Sequence, residues 1–282
     1  MDVSFPTTQQ RAGMDRMTLA IHDDARCVIL LPRDGSAARI TDFGAADEES
    51  ALRLLEACAS WCTGRPGMLG PIGADTWSDY RFVVESDGQR PFIGEPQHPD
   101  WYPGVWERAG FAPVSTYASA IDERPRDLVR TDRPVPAEAR RWSADGSKEV
   151  LEDIHRISEL AFSRAPYFAP IAREVFVDRF AKTLSGPAGR HSAFATIDGA
   201  VVGYVLGYPD GRGGHVLKTL VSMRPGVGTQ MIETFYDMAI EAGSTHVVHA
   251  LMHEDNHSLA MSRRLGARVF RRYALFGKDL AR

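Results

Sequence analysis

Residues 220–231, LVSMRPGVGTQM, hold the side chains and spacing in this chain that point most directly to chemistry. A strand-like run ends in Met223-Arg224-Pro225, and Gly226 and Gly228 then open a stretch of helical periodicity. Glycines at a strand-to-helix turn let the main chain approach a ligand closely. The first amides of the helix point outward there, at its positive end. Such a turn is a cradle for a diphosphate. Thr229 adds a hydroxyl donor, and Arg224 a charge-assisted contact to phosphate.

A second group is His253-Glu254-Asp255-Asn256-His257, which has the His-Glu-x-x-His spacing of zinc proteases. That chemistry needs one continuous helix with both histidines on the same side. Asn256 instead reads as a helix cap and 245–252 as a strand, so the histidines straddle a boundary. Downstream only Asp279 could serve as a third ligand, and no metal is expected. His246 and His249 face opposite ways on a strand, and His249 and His253 lie roughly 13 Å apart at the usual rise.

The elements that must position these residues can be read from periodicity. In the first half, CVILLPRDGSAARITDFGA reads as two strands about an Asp34–Gly35 turn. Residues 47–62 form a helix with Ala51, Leu54, Leu55, Cys58 and Cys62 on one side. A strand follows at 80–85. Residues 121–138 are rich in Pro, Arg and Asp and read as a linker between domains 1–120 and 139–282. Beyond it, helices are predicted at 148–163, 170–185, 227–242 and 256–265. Strands are predicted at 192–197, 200–208, 215–222, 245–252 and 267–277. The halves echo each other: in each, a helix ends at a glycine, Gly110 or Gly266, and a tyrosine follows seven residues later, Tyr117 or Tyr273.

The order of elements in 139–282, the glycine turn and the segment MHEDNHSLAMSRRLGARV resemble the GNAT acetyltransferase superfamily, and the whole chain resembles its tandem members. The fold implied is α/β (α+β), with two tandem GNAT-type domains. Each is a mixed, mostly antiparallel sheet flanked by helices, the N-terminal one truncated and degenerate. The resemblance implies an N-acetyltransferase that uses acetyl-CoA. Its cofactor contacts fall on Leu220, Val221, Met223, Arg224, Gly226, Val227, Gly228, Thr229 and Asn256. An amide near Leu220–Val221 polarises the thioester where two strands splay.

The family pattern asks for Gln or Arg three residues before the first glycine, where this chain has Met223 and carries Arg224 one place later. The family tyrosine that protonates the departing thiolate falls on Ser262, which acts at most through water; Tyr273 is the substitute. Glu254 and His253 are the candidate bases for the incoming amine. In the first half the corresponding helix opens with Asp47-Glu48-Glu49, which repels a diphosphate. That lobe is expected to cover the acceptor, with Trp77, Tyr80, Trp101, Tyr102 and Trp106 as an aromatic wall. The acceptor implied is an amine of a small molecule or of a peptide natural product. Tandem proteins of this kind include enzymes that acetylate antibiotics.

Composition narrows the alternatives. Hydrophobic residues at 44% and charged residues at 25% are those of a globular protein. The start MDVSFPTTQQ does not read as a signal peptide, and no run approaches the ~20 apolar residues of a membrane span. Three cysteines make no disulfide framework, so a cytoplasmic protein, monomer or homodimer, is expected, without membrane contact. Residues 1–120 hold 10 Lys/Arg and 17 Asp/Glu (net −7), and 121–282 hold 23 and 20 (net +3). The basic half suits a polyanionic ligand, while overall acidity argues against nucleic acid. A protein that binds an acyl-CoA or small ligand without turnover is the alternative to an enzyme.

Overall fold

The computed structural model describes residues 9–11, 14–21, 24–75, 77, 81–130, 135, 137–143 and 148–280. They form two compact units: one from the described residues of 1–86, 96–117 and 272–282, the other from 87–95 and 118–271. The segment read as a linker belongs to the second unit, and the chain after Arg271 to the first.

In the first unit, strands β1 (Gln9–Arg11), β2 (Met14–Ile21), β3 (Ala25–Pro32) and β4 (Ala38–Ala45) pair antiparallel in sequence order. Helix α1 (Glu48–Trp61) then crosses to β5 (Gly67–Gly70), which lies parallel to β4. Strand β6 (Phe82–Ser86), helix α2 (Tyr102–Arg108) and strand β7 (Ala112–Asp122) follow, and β7 passes into the second unit after Tyr117. The sequence builds α1 locally. Asp47 caps it by accepting the Ser50 amide at 2.7 Å, Glu48 and Glu49 fill its first turn, and Ala51, Leu54, Leu55 and Cys58 repeat at helical spacing. Those four are buried against Ile29 and Ile40 of the sheet and against Val105 and Trp106 of α2.

The second unit contains β8 (Glu138–Arg141), α3 (Lys148–Phe162), α4 (Arg173–Leu184), β9 (Ala193–Ile197), β10 (Ala200–Pro209) and β11 (His215–Ser222). Helix α5 (Val227–Glu241), β12 (Val247–His253) and α6 (His257–Arg264) complete it. The last strand, β13 (Arg268–Asp279), starts there, continues into the first unit and pairs with β5. Strands β8 to β11 are antiparallel, and α5 is the crossover to β12, which is parallel to β11.

Helix α5 buries Val227, Met231, Ile232, Phe235 and Met238 in the second core. It packs close because β10 carries Gly207, where a Cβ would stand 2.1 Å from Phe235 Cε2. Burial of such a ring contributes about 2–3 kcal/mol. On α3, the Ser158 hydroxyl meets the Tyr204 hydroxyl of β10 at 2.8 Å.

The major predicted elements are found within a few residues of their expected ends. Strands β1, β2, β5 and β8 were not anticipated; three are short, and none is a clean alternating apolar run. Among the described residues no helix is long and apolar enough to cross a membrane.

Candidate active site

Strands β11 and β12 pair at His215↔Val247, Val216↔Val248 and Leu217↔His249, and the register ends there. Yet β11 runs on to Ser222 and β12 to His253, so the two strands part. At the point of parting β11 carries a bulge: Leu206 faces Thr219 and Gly207 faces Leu217 across β10, which leaves Lys218 as the extra residue. On the other side Leu251 has φ 57, a left-handed conformation rare for such a side chain, and its amide donates to Ser119 Oγ at 3.0 Å. Leu220 and Val221 lie in the parted stretch of β11. Successive amides of a strand face opposite neighbours, so one of these two is directed at β10 and the other into the gap.

Above the gap, Gly226 caps α5 with φ 85 and no side-chain hydrogen bond. Any Cβ there would be strained and 3.2 Å from a methyl of Val135. The first intrahelical bond is Gln230 N–H to Gly226 O at 3.1 Å, so the amides of Val227, Gly228 and Thr229 precede it. Val227 donates back to Arg224 O at 3.3 Å, and the next two amides are the outward donors of the helix end. Ser222 Oγ also donates to Arg224 O, at 2.9 Å, and fixes the turn. With Arg224 and Thr229 exposed beside it, this end has the donors and the charge for an anionic diphosphate. The Met223 amide is committed to Val202 O at 2.8 Å, and the Val227 side chain is fully buried, so both shape the turn from within.

At the foot of the gap four buried polar side chains join. Ser262 Oγ of α6 is 2.7 Å from His249 Nδ1 of β12, and His249 Nε2 is 2.9 Å from the Tyr236 hydroxyl of α5. Tyr236 donates to Asp122 Oδ2 at 2.9 Å. Burial holds the imidazole down at about 4, so it is neutral near pH 7. Burial, then the charge of Asp122, pushes the Tyr236 phenol well above its ordinary value.

Comparison with solved structures places this geometry. One match is a tandem GNAT protein from the clavulanic acid biosynthesis pathway, with TM-score 0.56 and 15% identity over 99% of this chain and 85% of that one. Another is a GCN5-related N-acetyltransferase from Sphaerobacter thermophilus, with TM-score 0.54 and 14% identity over 97% and 83% of the two chains. The fold is that of the tandem GNAT proteins. A probable N-acyltransferase from Enterococcus faecalis also shares it, with TM-score 0.53 and 13% identity over 95% of this chain and 62% of that one. Neither a family model nor a curated protein matches the sequence.

Around the parted strands of this GNAT fold the remaining candidates divide. Asn256 caps α6, its Oδ1 accepting the Ser258 amide at 3.4 Å. Glu254 is half-buried in the turn between β12 and α6, and His253 Nδ1 accepts the Asp255 amide at 3.1 Å. His253 closes a strand and His257 opens a helix, so the zinc-protease spacing spans two elements.

Tyr273 is fully buried and belongs to the first compact unit. Two members of the expected aromatic wall are corrected. Tyr102 is core: its hydroxyl accepts the Ala45 amide at 2.9 Å and its ring packs edge-on to Phe43 and Phe82. Trp106 is fully enclosed, Trp101 leans on Tyr102, and Trp77 is half-buried in a turn fixed by Asp75. Tyr80 lies outside the described residues. Sequence reasoning missed Asp122, Tyr236 and the partnership of His249 with Ser262. A histidine inside the apolar strand VVHALM was the available signal.

Proposed function

We propose that this chain is an acetyl-CoA-dependent N-acetyltransferase acting on an amine of a small molecule or peptide natural product. The observation that carries the reading is the parted β11–β12 pair beneath a helix end capped by a bare glycine. When bound, acetyl-CoA supplies an acyl group already activated as a thioester. The Gly228 and Thr229 amides and the Arg224 side chain hold the diphosphate, and Asn256 flanks the arm that enters the gap. The amide of Leu220 or Val221 that faces the gap polarises the thioester oxygen. Glu254 and His253, at the open end of β12, receive the incoming amine. Residues 139–282 act as the transferase lobe, and 1–120 form a degenerate lobe.

The pathway named for the clavulanic acid protein supports a natural-product acceptor, and we propose a cytoplasmic setting for the reaction. Two measurements test this. Calorimetry should give micromolar CoA binding, and a free-thiol assay over mixed amines should show turnover with at least one. Absence of CoA binding removes the reading. Binding without turnover on any amine favours a non-catalytic acyl-CoA protein.

A further inference from the structure

One set of proton directions satisfies every hydrogen bond in the chain from Asp122 to Ser262. Tyr236 has one hydroxyl proton and gives it to Asp122, so its oxygen accepts from His249 Nε2–H. Nδ1 of that neutral imidazole is then a lone pair, and Ser262 donates its own proton to it. Ser262 Oγ is thereby left as an acceptor, backed by a base. Position agrees with this polarity. His249 is the last β12 residue paired with β11, so the chain passes the point where the strands begin to part, and Ser262 Oγ lies 2.7 Å from His249 Nδ1. From Ser222 down to Leu217 is five residues of β11, roughly 17 Å at the usual rise. An extended pantetheine arm held at the α5 amides reaches about that far.

We propose that Ser262 handles the proton of acyl transfer, and that His249, Tyr236 and Asp122 are positioning residues that keep it an acceptor. This rests on the acetyltransferase reading above. As the C–N bond forms and the C–S bond breaks, Ser262 Oγ takes the proton lost by the amine nitrogen and releases its own to His249 Nδ1. The imidazolium then returns a proton through Ser262 to the departing sulfur, so the products are amide and thiol and the protein is restored. An imidazole whose burial disfavours its charged form hands the proton on promptly rather than keeping it.

The test combines a spectroscopic readout with kinetics. In the full chain labelled with 15N at histidine, His249 should be the Nε2–H tautomer without any ligand. Ser262→Ala should shift its Nδ1 resonance, and Tyr236→Phe should release the tautomer. In thiol-release assays Ser262→Ala should lower kcat about 100-fold, while KM for acetyl-CoA and the calorimetric Kd of CoA stay within about twofold. Alanine is well tolerated in a helix, so loss of folding is not expected. An Nδ1–H tautomer in the unaltered protein overturns the proposal. So does an unchanged kcat in Ser262→Ala, or an acetyl group trapped on Ser262 in intact-mass spectra, which would make it a nucleophile. Failure of the unaltered protein to bind CoA would overturn the acetyltransferase reading itself.

Discussion

The two crossovers, β4–α1–β5 and β11–α5–β12, share a topology and differ at the helix end. Both join parallel strands that pair only briefly, through Ala38↔Met68 and Arg39↔Leu69 in one and three residue pairs in the other. Helix α1 opens on Asp47, whose carboxylate accepts the Ser50 amide, with Glu48 and Glu49 next to it. Hydrogen bonds from Ser50 hold the Asp47 carboxyl below the usual carboxylate range, so that end is already satisfied and negative. Helix α5 opens on Gly226 with no side chain to cap it. The last paired residue of the second strand is Leu69 in one crossover and His249 in the other. One framework thus either satisfies its helix end with a carboxylate or leaves that end to a bare glycine, and the residue at the last strand pair is leucine in one case and histidine in the other.

The largest effect should come from giving the second crossover the chemistry of the first. Gly226→Asp with Gly228→Asp sets two carboxylates against the diphosphate and competes for the donors that would hold it. Charge-assisted hydrogen bonds contribute about 1.5–3 kcal/mol each, so CoA affinity should fall about a thousandfold, read by calorimetry. Circular dichroism should show the helix retained, since the strain of a side chain at φ 85 costs only about 1–2 kcal/mol and the buried face of α5 is unchanged.

His249→Leu is the next exchange. The folded value of about 4 for His249 lies below the unfolded value of about 6.5, so in that window the unfolded chain binds a proton that the folded chain refuses. Stability is therefore whole above about pH 6.5, falls as pH drops toward 4, and loses on the order of 3 kcal/mol. Denaturant midpoints measured across that window should fall less steeply in His249→Leu. Some slope must remain, because burial also holds His215 down at about 4.

The glycine turn before α5 was legible because its signals are local: a strand, two glycines and a helix in consecutive residues. The capping role of Asn256 was legible for the same reason, as was the acidic start of α1. What could not be read joins distant parts of the chain. Asp122, Tyr236, His249 and Ser262 come from three elements and the end of β7, and no spacing relates them. That Tyr102 and Trp106 are core was illegible for a related reason. A cluster rich in Trp and Tyr has the same composition whether it lines a cleft or fills a core, and only the Tyr102 bond to the Ala45 amide and the enclosure of Trp106 decide the matter. The exchange of chain between the compact units after Arg271 left no mark in composition either.

Smaller substitutions ask which glycine matters for which reason. Gly226→Ala puts a side chain at φ 85 and within 3.2 Å of Val135 Cγ2, so thermal unfolding should report a loss of about 1–2 kcal/mol. Gly228→Ala meets only the Ser222 side chain, Cβ at 3.4 Å and Oγ at 3.6 Å, on a helix that prefers alanine by about 1 kcal/mol, and should be neutral or slightly stabilising. Equal losses at both sites would mean that the turn is held by something other than the conformation of Gly226.

The smallest effect belongs to the converse exchange in the first crossover. Asp47→Gly should cost only a few tenths of a kcal/mol, since glycine is itself a tolerated cap. Even with Glu48→Gln and Glu49→Gln added to remove the charge, this end should acquire no CoA affinity. The reason is geometric. Asp47 has φ −148 and ψ 168, an extended approach to the helix, whereas Gly226 turns in through a positive φ. Removing the carboxylate frees an amide without bending the preceding chain into a cradle. Calorimetry on the triple variant, in the Gly226→Asp, Gly228→Asp background, isolates this end. If CoA bound there, cap chemistry alone would separate the two crossovers, and the shape of the turn would have to be given up as the cause.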